Sequence, residues 1–196
     1  VRLRFARPVR TARGDFAERE TVLLELRDAE GERGFGEAAP WPGFGTESAQ
    51  QAHASLIAAE TLLCGASLQP GAWTPELDAH LRDAPAARAA VQGALWDLAA
   101  RRAGLPLADL LAAGAGTMCG EVLRHVPTSA LLVAREPGSL REEAARAREA
   151  GHRAAKIKLG APSLDADVAR ARAAREGLGP VVRLRGDATR PTGRRP

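Results

Sequence analysis

Apolar and polar positions alternate through the opening of the chain. Val1 to Arg7 interleaves arginine with apolar residues, and Thr21 to Arg27 is an apolar run after Arg19 and Glu20. Turn chemistry follows at Asp28-Ala29-Glu30-Gly31, and Gly34 to Ala38 resumes an extended pattern. The spacing predicts an antiparallel meander. Past the Pro- and Gly-rich stretch Ala39 to Gly45 the period changes. Thr46 is an N-cap candidate, and Ala49, Ala52, Leu56, Ala59 and Leu63 recur at helical spacing as far as Gly65. A second helix is predicted from Pro85 to Arg102, with Val91, Leu95 and Leu98 as its buried stripe and Gly104 as its stop. Leu105 to Ala113 gives a short third.

From about Glu121 strands and helices alternate. Arg124 to Val133 reads as a strand, and Ser139 with Glu142 as a capping box opening a helix that ends at Gly151. Ala154 to Leu159 reads as a strand, Ser163 caps a helix to Gly177, and Val181 to Ala188 is a further strand. That order predicts a parallel sheet. Three parallel strands and two helices leave an open edge, an incomplete domain. Side chains alternate across a strand, so Lys156 and Lys158 share one face while Ala155, Ile157 and Leu159 share the other. In a βα barrel the apolar face meets the helices and the lysines point inward.

Composition narrows the classes. With 45% hydrophobic and 27% charged residues over 196 positions, the chain has material for a buried core and lacks the signature of disorder. No apolar run reaches the roughly 20 residues that span a bilayer, and no export signal is read at the N-terminus. Cys64 and Cys119 are too few for a disulfide framework or a zinc site, so two buried thiols in a reducing cytosol are expected. The +4 net charge reflects 28 basic residues nearly matched by 24 acidic ones, which argues against a nucleic-acid partner. The class of Arg-rich polyanion binder stays as an alternative.

Lysine occurs only at positions 156 and 158; every other basic residue is arginine. An ammonium can lose its proton and act as a base, whereas a guanidinium stays protonated. On the last strand Val181, Arg183, Arg185 and Asp187 share a face, with Asp187 at the C-terminal end where βα barrels place their active sites. A lysine beside a carboxylate that could hold a divalent cation suits removal of a proton next to a carboxylate.

Four stretches extend this reading: Gly34 to Glu47, Ala94-Leu95-Trp96-Asp97-Leu98-Ala99, Lys156-Ile157-Lys158-Leu159-Gly160 and Leu184-Arg185-Gly186-Asp187-Ala188. In this order and spacing the chain resembles the enolase superfamily, within it the muconate-lactonizing subgroup, and most closely o-succinylbenzoate synthase. The resemblance implies an α+β N-terminal capping domain over residues 1–116. It also implies an incomplete α/β barrel of the TIM-like (β/α)7β kind over 117–196, truncated after the third barrel strand. It implies that Lys158 takes the α-proton and returns it to the departing hydroxyl, that Lys156 tunes it and contacts substrate, and that Asp187 is a Mg²⁺ ligand. The loops Thr11 to Glu18 and Pro40 to Thr46 would select substrate, with Phe44, Gly45 and Thr46 among the contacts. The implied reaction is a dehydration to o-succinylbenzoate in menaquinone synthesis, on a small-molecule carboxylate, in the cytoplasm. Dipeptide epimerase and muconate cycloisomerase share this apparatus, and a non-catalytic fragment is a further alternative. Asp187-Ala188-Thr189 stands where the family usually has Asp-Ala-Asn, and the family's other metal carboxylates and opposing lysine lie on strands beyond these, so the isolated chain is expected to be inactive.

Other residues carry plainer expectations. His53, His80, His125 and His152 show no helical pairing and read as surface or helix-end residues. Trp41, Trp73 and Trp96 read as packing residues, and Glu37 as structural.

Overall fold

Half-buried Val22, Leu24 and Leu26 alternate with exposed residues, and Gly34 and Gly36 then let a helix settle beside them. The structure, a computed structural model, describes residues 1–11, 14–67, 70, 74–114, 125–160 and 163–188. Cys119, Trp73 and the segment after Ala188 lie outside these residues. The chain divides into two compact units, Val1–Val122 and Leu123–Pro196.

In the first unit β1 (Arg2–Thr11) pairs antiparallel with β2 (Gly14–Glu20), and β3 (Val22–Arg27) pairs antiparallel with β4 (Arg33–Ala38). The sequence pattern missed β2. Its residues Gly14 to Glu20 are mostly polar, and it forms because it faces β1 across a hairpin whose Arg2 meets Glu18 at 3.6 Å. The stretch Thr11 to Glu18, expected as a loop, is therefore largely strand, with residues 12 and 13 outside the described set.

On β3, Val22, Leu24 and Leu26 are half-buried and their neighbours exposed. That face packs toward α3 (Pro85–Ala103), whose Ala86, Ala87, Ala90, Val91, Ala94 and Leu95 are buried. Gly34 and Gly36 of β4 permit the approach: a Cβ at Gly36 would run into the Ala90 carbonyl, and one at Gly34 into that of Ala94. Leu98 and Trp96, expected in the core, are only half-buried. A stripe built from alanine is narrow, and residues beside it stay at the rim.

Helix α1 (Ala49–Leu63) starts at Ser48, which forms a capping box with Gln51. Thr46 is not the cap, because its hydroxyl accepts from the Trp41 N–H and donates to the Glu47 carbonyl. The short α2 (Pro75–His80), capped by Thr74, was not foreseen, and α4 (Leu107–Gly114) starts just after Pro106. Cys64 at the end of α1 is exposed, contrary to the expected buried thiol, because the chain turns to solvent at Gly65. His53, His80 and His125 are exposed and His152 is half-buried.

The second unit holds a parallel sheet of order β5-β6-β7 formed by β5 (Ser129–Leu132), β6 (Ala154–Leu159) and β7 (Arg183–Ala188). Helices α5 (Pro137–Glu149) and α6 (Leu164–Leu178) join them. Strand β5 is shorter than expected because Pro127 offers no N–H to a ladder. Likewise Ser139 lies inside α5, whose start is set by Pro137 after Glu136, so the capping box expected there does not form. Val181 falls outside β7 and is 91% exposed. Leu132, Ile157, Leu140 and Leu178 are fully buried between the sheet and its helices. Each contributes about 1.5–3 kcal/mol of burial. Helix α6 comes close to α5 at Gly177, where a Cβ would strike the Arg141 carbonyl.

Candidate active site

The face of the parallel sheet opposite its helices carries the charge. Residues 154, 156 and 158 of β6 turn away from the buried Ala155 and Ile157, and residues 183, 185 and 187 of β7 lie beside them. The ladder sets Lys156 opposite Arg185 and Lys158 opposite Asp187. Lys156 nevertheless reaches diagonally, and its Nζ lies 2.8 Å from Asp187 Oδ2. Sequence spacing pairs Asp187 with Lys158; diagonal neighbours on one face of a sheet are also within reach of a long side chain.

The Asp187 carboxyl is held below the usual carboxylate range. The hydrogen bond from Lys156 is the largest cause, followed by its charge; partial burial opposes the shift, and the charges of Lys158 and Arg185 add to it. The carboxylate therefore sits within the field of three cations.

A second pair, unforeseen from the sequence, braces this strand end. Arg170 of α6 donates from Nη1 to the Lys158 carbonyl at 2.8 Å, and Asp167 Oδ2 accepts from the Gly160 N–H at 2.8 Å. Arg170 and Asp167 also approach each other at 3.4 Å, with 15% and 17% of their side chains exposed. The signal available in the sequence was two opposite charges three residues apart, one turn past the Ser163 cap.

Phe44, Gly45 and Thr46 belong to the first unit. Phe44 packs edge-on to Trp41 at 5.3 Å, and Phe16 meets Trp41 at 5.0 Å. Gly45 has φ of +97° and closes the short turn Pro42–Phe44. Glu37 accepts from the Thr21 hydroxyl at 2.7 Å, a structural role.

Among the described residues no group of three or more His, Cys, Asp or Glu side chains could hold a metal ion. Mg²⁺ needs several oxygens in near-octahedral array, and Asp187 alone, with an ammonium on Oδ2, does not supply them. The described residues by themselves do not fit Mg²⁺.

Residues 1–112 match the family described as "Mandelate racemase / muconate lactonizing enzyme, N-terminal domain", and residues 139–195 match "Enolase C-terminal domain-like". The chain belongs to the enolase superfamily. A hydrophobic dipeptide epimerase of Roseobacter litoralis is 36% identical over 182 residues, covering 90% of this chain and 49% of that protein. An o-succinylbenzoate synthase of Geobacillus kaustophilus is 35% identical over 107 residues, covering 53% of this chain and 28% of the synthase. Among solved structures, the dipeptide epimerase of Enterococcus faecalis complexed with Mg and L-Leu-L-Tyr superposes with a TM-score of 0.80 at 27% identity, covering 96% of this chain and 51% of that one. The fold is thus the superfamily's N-terminal domain followed by part of its barrel. The chain spans about half the length of the curated relatives it matches most fully. Among the described residues no helix is long and apolar enough to cross a membrane.

Proposed function

We propose that this chain carries the lysine half of an active site that removes a proton α to a carboxylate. The observation that carries the reading is the arrangement of Lys156, Lys158 and Asp187 on one strand face, with Lys158 and Asp187 near the C-terminal ends of two parallel strands. Lys158 is the base that takes the α-proton on Nζ. The C–H electron pair moves into the substrate carboxylate to give an enediolate, and the Lys156 ammonium and Arg185 guanidinium supply positive charge beside it. No step is given to Mg²⁺, since a complete site needs carboxylates from outside the described residues.

For the substrate, the Gly34 to Glu47 motif supports dehydration to o-succinylbenzoate, in which the proton on Lys158 passes to the departing hydroxyl and leaves as water. The Roseobacter litoralis relative, matched across 90% of the chain, favours a second reading, dipeptide epimerisation. There Lys158 keeps the proton it removes, and a second acid, outside the described residues, would deliver a proton to the opposite face of the carbon.

The test is a fusion of this chain to the portion of that relative which it does not cover, assayed for both reactions and for α-proton exchange in D₂O. The reading predicts exchange that falls at least about 1,000-fold in Lys158→Ala, the scale of a lost general base. Lys158→Ala activity equal to the parent's sinks it. Dehydration without dipeptide exchange selects the first substrate, and the converse selects the second.

A further inference from the structure

Strands β5 and β6 are each tied at their exit to the helix that follows. At β5 the Glu143 carboxylate of α5 accepts from the Val133 N–H at 2.9 Å and the Ala134 N–H at 2.8 Å. At β6 the Asp167 carboxylate of α6 accepts from the Gly160 N–H at 2.8 Å. A carboxylate on loop N–H groups closes the turn and asks nothing of the strand's own side chains. Strand β6 adds an arginine: Arg170 donates from Nη1 to the carbonyl of Lys158 itself at 2.8 Å. That addition is a poor source of stability. Arg170 and Asp167 are largely withdrawn from water, and an ion pair so placed returns little beyond its desolvation cost. Arg170 Nε is also buried with no acceptor among the described residues, a further cost.

What the pair supplies is geometry. Only Leu159 separates the Lys158 carbonyl from the Gly160 N–H, so the two bonds hold successive peptide planes at the end of β6. Gly160, at φ +114°, then turns the chain away. The rotamers open to a side chain depend on its backbone angles, so a carbonyl fixed at Lys158 limits the directions in which that side chain leaves the strand. Lys156, on the same face, is held by a different partner, Asp187. We infer that Arg170 is a positioning residue for Lys158, anchored by Asp167, and that the two hold this lysine in one orientation at the strand end. The consequence for catalysis rests on the proton-abstraction reading, because a base acts when held about 3–3.5 Å from the atom it attacks. The order imposed on Lys158 does not rest on it.

Mobility of the two lysines, labelled at ¹³Cε in the 196-residue chain, tests the clamp. Arg170→Met should lengthen the transverse relaxation time of the Lys158 signal about twofold and leave that of Lys156 in place. Arg170→Lys should recover part of the order, and Asp167→Ala is the second variant should Arg170→Met lose its dispersed spectrum. Arg175→Met is the control for a merely structural loss. Arg175 Nη1 donates to the Gly179 and Val182 carbonyls at 2.6 and 2.8 Å, at the far end of α6, and its removal should leave Lys158 unmoved. In the fusion to the remaining portion of the Roseobacter litoralis relative, Arg170→Met should lower kcat for α-proton exchange about 10- to 100-fold, with KM held within about twofold. Unchanged Lys158 relaxation in Arg170→Met and Asp167→Ala overturns the inference, as does an equal change in Arg175→Met or a loss confined to KM. A fusion whose exchange ignores Lys158→Ala, while Arg170→Met still frees Lys158, sinks the proton-abstraction reading and supports the clamp.

Discussion

Asp187 has one near partner and two more distant cations, and its protonation reports all of them. Its carboxyl lies below the usual range chiefly through the Lys156 hydrogen bond, so Lys156→Met should move it up toward the ordinary carboxylate value. Side-chain ¹³C shifts followed with pH read this directly, and an unmoved midpoint contradicts the pairing. A depressed native value contributes stability above the unfolded value, and the contribution is lost as pH falls through the native one. The stability difference between wild type and Lys156→Met should therefore fade on the acid side of the normal carboxylate range. Asp97 behaves differently. Burial pushes its carboxyl up, yet hydrogen bonds from Arg101 and the Phe35 N–H, with the Arg101 charge, leave it lowered overall. Arg170→Met should cost about 1–3 kcal/mol in urea unfolding, because it strips a half-buried acceptor, the Lys158 carbonyl, of its donor. At this scale the sequence disclosed which residues matter, since two lysines in a chain rich in arginine stand out. It did not disclose which lysine meets Asp187, because a diagonal reach depends on side-chain rotamers and a register gives only direct opposites.

Elements are held together here by close approaches more than by large side chains. Gly36→Ala drives a Cβ into the backbone carbonyl of Ala90, and Gly177→Ala into that of Arg141. Each should destabilise by about 1–3 kcal/mol or more, the cost of overpacking, read as a lowered urea midpoint. Hydrogen exchange should accelerate in the β3–β4 and α3 region for the first and in α5 and α6 for the second. The buried Glu47 accepts from the Ala86 N–H at 3.1 Å and the Ala87 N–H at 2.8 Å, holding the first turn of α3. Glu47→Ala leaves those donors bare and should cost about 1–3 kcal/mol, with Glu47→Gln recovering part of it. Helices with strong periodicity and strands with apolar runs were legible. Strand β2 was not, because its pairing comes from a partner strand and not from its own pattern. The start of α5 was misread because Pro137, at a favourable first-turn position, outweighed the serine two residues later.

For the whole molecule, motif order along the chain foretold the superfamily and a fold that couples its N-terminal domain to part of its barrel, which the matched families and the solved relatives bear out. Substrate is less legible, because relatives named as epimerases and relatives named as synthases both match this one scaffold. The central claim is that both lysines and Asp187 form a single cluster on one sheet face. Lysine labelled at ¹³Cε tests it, since the chain gives only two signals. Asp187→Asn should shift both, Lys156's by more, while Asp165→Asn at the start of α6 shifts neither. Two lysine signals indifferent to Asp187→Asn would contradict the account.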